Sequence, residues 1–232
     1  MCEHNQQSTS NEPSQANLSQ QITSLIPDHP VCKEALVIAQ TSLPASVFYH
    51  SIRIFLYTAA ILSSSTPSED VSPIPATPIS PHVVFVASML HDLGTTPTYD
   101  DSPHRFEVCG ADAAVHLLRK HQVPETSVRE AWLAISLHTS AAIAERVDGL
   151  VRALRLAVRA DFGMYPVPDL GVSGEAMESD EIVERWLPRL GVAGDLTGAI
   201  IQQGLRRPEK VPDNSWAGGL VRQRKADPNW KW

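Results

Sequence analysis

Cysteine is scarce: the 232-residue chain has three, Cys2, Cys32 and Cys109, too few and too scattered for a disulfide framework or a thiolate metal site. A reducing, cytoplasmic setting is therefore the expected one. Basic charge is also short, 19 Lys and Arg against 26 Asp and Glu, for a net charge of −7. A protein built to bind nucleic acid carries a basic footprint, so that class is not expected. No stretch approaches 18 uncharged apolar residues, and no membrane span is expected. The start of the chain lacks a basic region followed by an apolar stretch, so no secretory signal is read there. Period-two alternation and Asn-Gly hairpin signals are missing as well, which argues against a sheet.

What is present is an ordinary globular mix, 43% hydrophobic and 19% charged. Residues 1–24 hold five Gln, five Ser and three Asn with no Lys or Arg. Such a stretch buries too little apolar surface to offset its ordering entropy, and an N-terminal arm over 1–29 is expected to lack structure. Apolar residues at helical spacing predict helices from Val31 to Leu43 and from an N-cap at Ser46 to about Leu62. The second is apolar all round, as a central helix should be. Residues 63–81 carry five prolines among many Ser and Thr, which excludes both helix and central strand and predicts an insert loop. Further helices are predicted from Pro81 to His91-Asp92, Phe106 to His121, Pro124 to His138, Asp148 to Asp161, Glu178 to Leu187 and Leu196 to Leu205, with a polar loop over Thr95–Pro103. The fold class is all-α, with one domain over 30–206. From Arg206 to Trp232 seven basic residues face three acidic ones, leaving a net −11 on the remainder. This segment is read as a solvated basic tail. Three tryptophans in it, Trp216, Trp230 and Trp232, offer contact area for anchoring it on the body or on a second subunit, a homodimer.

Polar residues stranded in apolar helices carry the chemistry. His50 sits in VFYHSIRIF, His91-Asp92 closes VVFVASMLHDLG, and Asp161 ends ALRLAVRADFG. A carboxylate there must be paired, hydrogen-bonded or metal-bound, because an isolated buried charge is costly; Arg159 or Arg53 could do the pairing. His91 and Asp92 point about 100° apart on a helix, yet both can reach one ion where the helix ends at Gly94. His and Asp suit zinc, iron or manganese.

The order His50, His91-Asp92, Asp161 on successive helices resembles the HD superfamily of metal-dependent enzymes. The flanks MLHDLG, RFEVCGADAA, AWLAISLHTSAAIA and ADFG, from His50 to Gly163, resemble its cyanamide hydratase branch. The resemblance implies a helical bundle around a single metal site, with His50, His91, Asp92 and Asp161 as ligands of one divalent ion, zinc first and iron or manganese as alternatives. It implies a hydro-lyase that adds water to a small nitrile-like substrate, cyanamide, giving urea. Such an ion brings bound water to a pKa of about 7, and Asp92 takes part in that catalysis as a ligand.

Around this centre, His138 in SLHTS is the candidate proton-transfer residue, with a helix-end histidine as the alternative. Arg53 and Thr139 are candidate substrate contacts, although Arg53 could simply neutralise Asp161. Glu107, in a Phe-Glu pair like the family's, is a candidate partner for a ligating imidazole. His116 is read as surface, and His121 with His138 would supply a second metal in a binuclear variant. Two other functions compete. One is an HD-type phosphohydrolase acting on a nucleotide or phosphate ester, for which Arg53 and Arg105 would supply cations. The other is a non-catalytic metal-containing binding protein.

Overall fold

In the computed structural model the described residues are 18–64, 78–147, 149–170 and 185–231. They are all-α: nine α-helices and four short 3-10 turns, with no strand among them. The helices are α1 (Gln20–Leu25), α2 (Pro30–Ser42), α3 (Ala45–Ser63), α4 (Pro81–Leu90), α5 (Phe106–Lys120), α6 (Glu125–Leu137), α7 (Gly149–Asp161), α8 (Val192–Arg206) and α9 (Trp216–Ala226).

The centre is α4. Pro81 occupies its first turn, where a missing N–H costs nothing. Every residue from Val83 to Leu90 is buried, the signature of a helix surrounded on all sides. Helices α2, α3, α5 and α6 all pack on it, and α7 closes the bundle against α3 and α6. Among the described residues α3 is the one helix long and apolar enough to cross a membrane, but it carries Arg53 and 61% of its apolar window is buried in the bundle. It is a core helix.

Two glycines set how α5 meets the end of α4. A Cβ on Gly110 would lie 2.6 Å from the Leu90 carbonyl oxygen and 3.0 Å from that of His91. A Cβ on Gly94 would collide with the Phe106 carbonyl. Gly110, unfavourable for a helix by propensity alone, is thus what lets α5 seat directly on the His91-Asp92 turn.

Several sequence expectations change here. The N-terminal arm does not extend to residue 29: Ser19 caps α1 and Ile22 is 2% exposed in the core. Residues 1–17 lie outside the described residues. Helix α3 begins after Pro44, so Ser46 is inside it, and its hydroxyl donates to Asp195 Oδ2 at 2.6 Å instead of capping. The helix expected from 178 lies mostly outside the described residues, as does most of the 63–81 insert. Helix α8 starts four residues earlier than expected, after Gly191 at φ +77°.

The segment beyond 206 is not a solvated tail. Helix α9 packs on α8, with Ala217, Gly218, Leu220 and Val221 buried. Its cations meet an acidic loop of the same chain: Arg206 pairs with Asp100 at 2.7 Å and Arg207 with Asp101 at 3.1 Å. Lys210, 1% exposed, donates to the carbonyls of Tyr99 and Ser102 at 2.6 and 3.2 Å. Gln203 Nε2 donates to Gly94 O and Asp100 Oδ1 at 3.1 and 2.9 Å. Three of the segment's seven cations, with Gln203, and the Thr95–Pro103 loop are therefore one clamp, which helix periodicity could not foretell because its two halves lie about a hundred residues apart.

Candidate metal centre

Four helices deliver the buried polar side chains. His50 comes from the middle of α3, His91 and Asp92 from the end of α4, His138 from the end of α6, and Asp161 from the last turn of α7. All five are at most 3% exposed. Asp161 is set by the closure of α7, where Gly163 at φ +69° lets the Met164 N–H bond the Arg159 carbonyl at 2.7 Å.

The imidazole tautomers follow from their partners. His91 Nδ1 lies 2.7 Å from Ser88 O, His138 Nδ1 lies 2.6 Å from Ile135 O, and His50 Nδ1 lies 2.6 Å from Asp161 Oδ2. Each of these oxygens accepts, so each Nδ1 donates, and in the neutral ring each Nε2 presents a lone pair. Those lone pairs converge. His50 Nε2 and His91 Nε2 are 3.2 Å apart. Asp92 Oδ2 is 3.0 Å from His91 Nε2 and 3.5 Å from His50 Nε2, and Asp92 Oδ1 is 3.6 Å from His138 Nε2.

Three bases facing one another in a buried space need a shared positive charge. Asp92 Oδ2 is buried and accepts no hydrogen bond, an orphan that a native interior rarely tolerates. A proton can supply part of the charge: burial opposes the His91 imidazolium, but the Asp92 carboxylate outweighs it and raises the His91 pKa. At His50 burial prevails over Asp161 and the pKa falls. Burial alone would raise Asp92, yet His91 and His138 hold it well below the usual carboxylate range. The donor set, two imidazole nitrogens and a carboxylate oxygen within 4.8 Å of one another, fits a divalent ion. His50, His91 and Asp92 could hold a metal.

Asp161 and Arg53 are placed differently from expectation. Arg53 is fully buried and grips Asp161 twice, Nε to Oδ1 at 2.6 Å and Nη2 to Oδ2 at 2.8 Å, while Nη1 donates to Leu187 O at 3.0 Å. Asp161 is thus engaged by Arg53, by Arg189 Nη1 at 3.6 Å and by the Nδ1 face of His50, on the opposite side of the ring from Nε2. It stands behind the centre, orienting a candidate ligand, in a carboxylate–histidine arrangement common at metal sites. Burial pushes its pKa up, but Arg53 and His50 bring it well below the ordinary value. Arg53 does not line the cleft and has no hand free for a substrate; of the alternatives open in the sequence, it neutralises Asp161.

Glu107, fully buried, contacts no imidazole. It accepts from Arg105 Nη2 at 2.6 Å and from Thr139 Oγ1 at 2.5 Å, which ties the start of α5 to the turn after His138. Thr139 and His138 line a cleft of about 730 Å³ whose floor includes His50, His91 and Asp92. His121 bonds Glu34 at 2.9 Å, away from His138, and His116 is exposed; no second group of candidate ligands joins the first among the described residues.

The sequence reading missed several wall residues. Arg155 lines the cleft from α7, and Asn214, Ser215 and Trp216 close it from the start of α9. Arg155 is one of three arginines in α7, and nothing in the sequence sets it apart from the other two. Trp216 stood out only as contact area, and its ring lies 6.5 Å from that of Phe106. No local signal marks the three positions at the start of α9, since it is the packing of α9 on α8 that brings them in. In comparisons with known proteins, no family model matches the chain and no curated protein matches it.

Proposed function

We propose that this protein is a metal-dependent hydro-lyase of the HD type that adds water to a small nitrile, with cyanamide as the first candidate. The observation that carries the reading is the convergence of His50 Nε2, His91 Nε2 and the orphan Asp92 Oδ2 at the floor of an open cleft. The flanking motifs that resemble the cyanamide hydratase branch add the reaction class.

His50, His91 and Asp92 would hold the ion, zinc first on donor type, with iron or manganese as alternatives. When bound, such an ion supplies an activated water at neutral pH. The remaining work falls to the chain. Asp161, itself fixed by Arg53, keeps the proton of His50 on Nδ1. Ser88 O does the same for His91. The water oxygen adds to the nitrile carbon and the C–N π pair moves to nitrogen. His138 Nε2, which faces the cleft while Nδ1 stays tied to Ile135 O, takes the proton that the water loses and passes it to that nitrogen. The isourea from cyanamide tautomerises to urea.

The phosphohydrolase reading needs cations free to meet a phosphate. Arg105 is paired with Glu107, and Arg155 with Glu145 at 2.9 Å and with His138 O at 3.1 Å, so the wall offers less to a dianion than its arginines suggest. Metal content and urea formation from cyanamide, measured on the wild type and on His91→Ala, test the proposal. The wild type should hold a divalent ion and form urea, and the variant should lose both. A metal-loaded wild type that releases phosphate from 4-nitrophenyl phosphate and forms no urea would replace this reading with its rival.

A further inference from the structure

Resting on the nitrile-hydration reading, we infer that the cleft takes a nitrile with an uncharged apolar body, aryl or branched alkyl, in preference to cyanamide itself. The first argument is size. Cyanamide has three non-hydrogen atoms, about the bulk of two or three waters at roughly 30 Å³ each. The cleft measures about 730 Å³, within the range of sites that enclose ligands many times larger.

The second argument is the wall. Beside polar positions such as Thr139, Ser140, Asn214 and Ser215, the cleft presents an apolar side made of Ile143, Val158, Phe162, Met164, Leu196 and Trp216. Ile143 and Met164 are 59% and 47% exposed, apolar surface that a soluble ligand's hydrophobic body would cover. Ile143 follows Ala142, whose φ of +62° is a left-handed conformation uncommon for a residue with a Cβ. That turn sits between two cleft residues, Ala141 and Ile143. The third argument is charge. Both guanidinium groups in the wall already face glutamates, Arg105 to Glu107 and Arg155 to Glu145. A substrate carrying its own anion would have to displace one of these pairs, whereas an uncharged body displaces none.

The chemistry is balanced without a further reagent. Water forms one C–O bond to the nitrile carbon, one C–N π bond breaks, and nitrogen takes a proton. The imidic acid then tautomerises to R–CO–NH2.

Two measurements on the metal-loaded protein test this. Calorimetric titration with benzamide, the product from benzonitrile, reads the cleft without turnover. The kcat/KM ratio of benzonitrile to cyanamide reads preference, in the wild type and in Ile143→Asp, a substitution at an exposed position. Benzamide should bind where urea does not, and the wild-type ratio should exceed 10. Ile143→Asp should lower that ratio by about 10-fold, the discrimination expected from a modest loss of apolar contact. Cyanamide hydration with no benzamide binding and no benzonitrile turnover would overturn the inference while leaving the proposed function standing. Benzamide binding with neither nitrile hydrated would overturn the proposed function and leave the ligand class standing. Phenyl phosphate binding more tightly than benzamide would overturn the assignment of an uncharged ligand.

Discussion

Asp161→Asn separates a residue that holds a metal from one that holds a ligand in place. Asp161 accepts three N–H groups: Arg53 Nε on Oδ1, and Arg53 Nη2 and His50 Nδ1 on Oδ2. Asparagine offers one oxygen and one NH2. With the NH2 in the Oδ2 position it confronts His50 Nδ1–H, and the ring can answer only by moving its proton to Nε2, where a ligand lone pair is needed. With the NH2 in the Oδ1 position it confronts Arg53 Nε–H, and in either orientation the buried guanidinium loses its counter-charge. Removing one partner of a buried pair costs about 3–5 kcal/mol, a large part of a typical stability of about 5–15 kcal/mol. Metal affinity should fall about 10- to 100-fold, the usual effect of losing a partner behind a ligating imidazole, or ~1.4–2.8 kcal/mol. The assay is a competitive chelator titration at low temperature, with circular dichroism and urea denaturation on the same sample to fix the folded fraction. His91→Ala provides the limit of complete loss. Affinity per folded molecule that vanishes as in His91→Ala would make Asp161 a direct ligand. Unchanged affinity would show that the His50 tautomer does not depend on it.

Three further outcomes are expected. His138→Ala should keep its metal, measured by elemental analysis, and lose about 10²–10⁴-fold in kcat for cyanamide hydration; metal lost in step with activity would make His138 a ligand. Gly110→Ala places a Cβ 2.6 Å from Leu90 O and should destabilise by about 1–3 kcal/mol in chemical denaturation; a neutral result would mean α5 is free to retreat from α4. Burial raises the Cys32 thiol from 9.0 to about 12, so the unfolded chain ionises it first. Its contribution to stability is intact below about pH 9 and drains by up to about 1.4 kcal/mol per pH unit towards pH 12; a denaturation midpoint in Cys32→Ala with the same alkaline slope as wild type would refute this.

The helices were legible because their cause is local. Apolar spacing, Pro81 in a first turn and Gly163 after a last one each act within a few residues. The cluster of His50, His91 and Asp92 was legible because imidazoles and carboxylates inside apolar runs must find partners. Which partners they find was not. Asp161 could bind an ion or an arginine, and the choice depends on Arg53 lying three positions after His50 on a helix that meets α7 in three dimensions. Glu107 was read as a partner for a ligating imidazole, yet its partners proved to be Arg105 and Thr139. The extent of the domain was misjudged at both ends. Low-complexity composition concealed α1, whose core contribution rests on the single side chain of Ile22. The basic segment looked solvated because its acidic partners, Asp100 and Asp101, are remote in sequence.

The clamp on the Thr95–Pro103 loop is completed late in the protein's synthesis. A ribosome has added every residue of the proposed centre by position 161, but the loop leaving His91-Asp92 is still waiting for Gln203, Arg206 and Lys210, and the cleft for Trp216. A nascent chain therefore carries the whole cluster before it carries the parts that brace it. The centre is finished last, by residues that hold none of its chemistry.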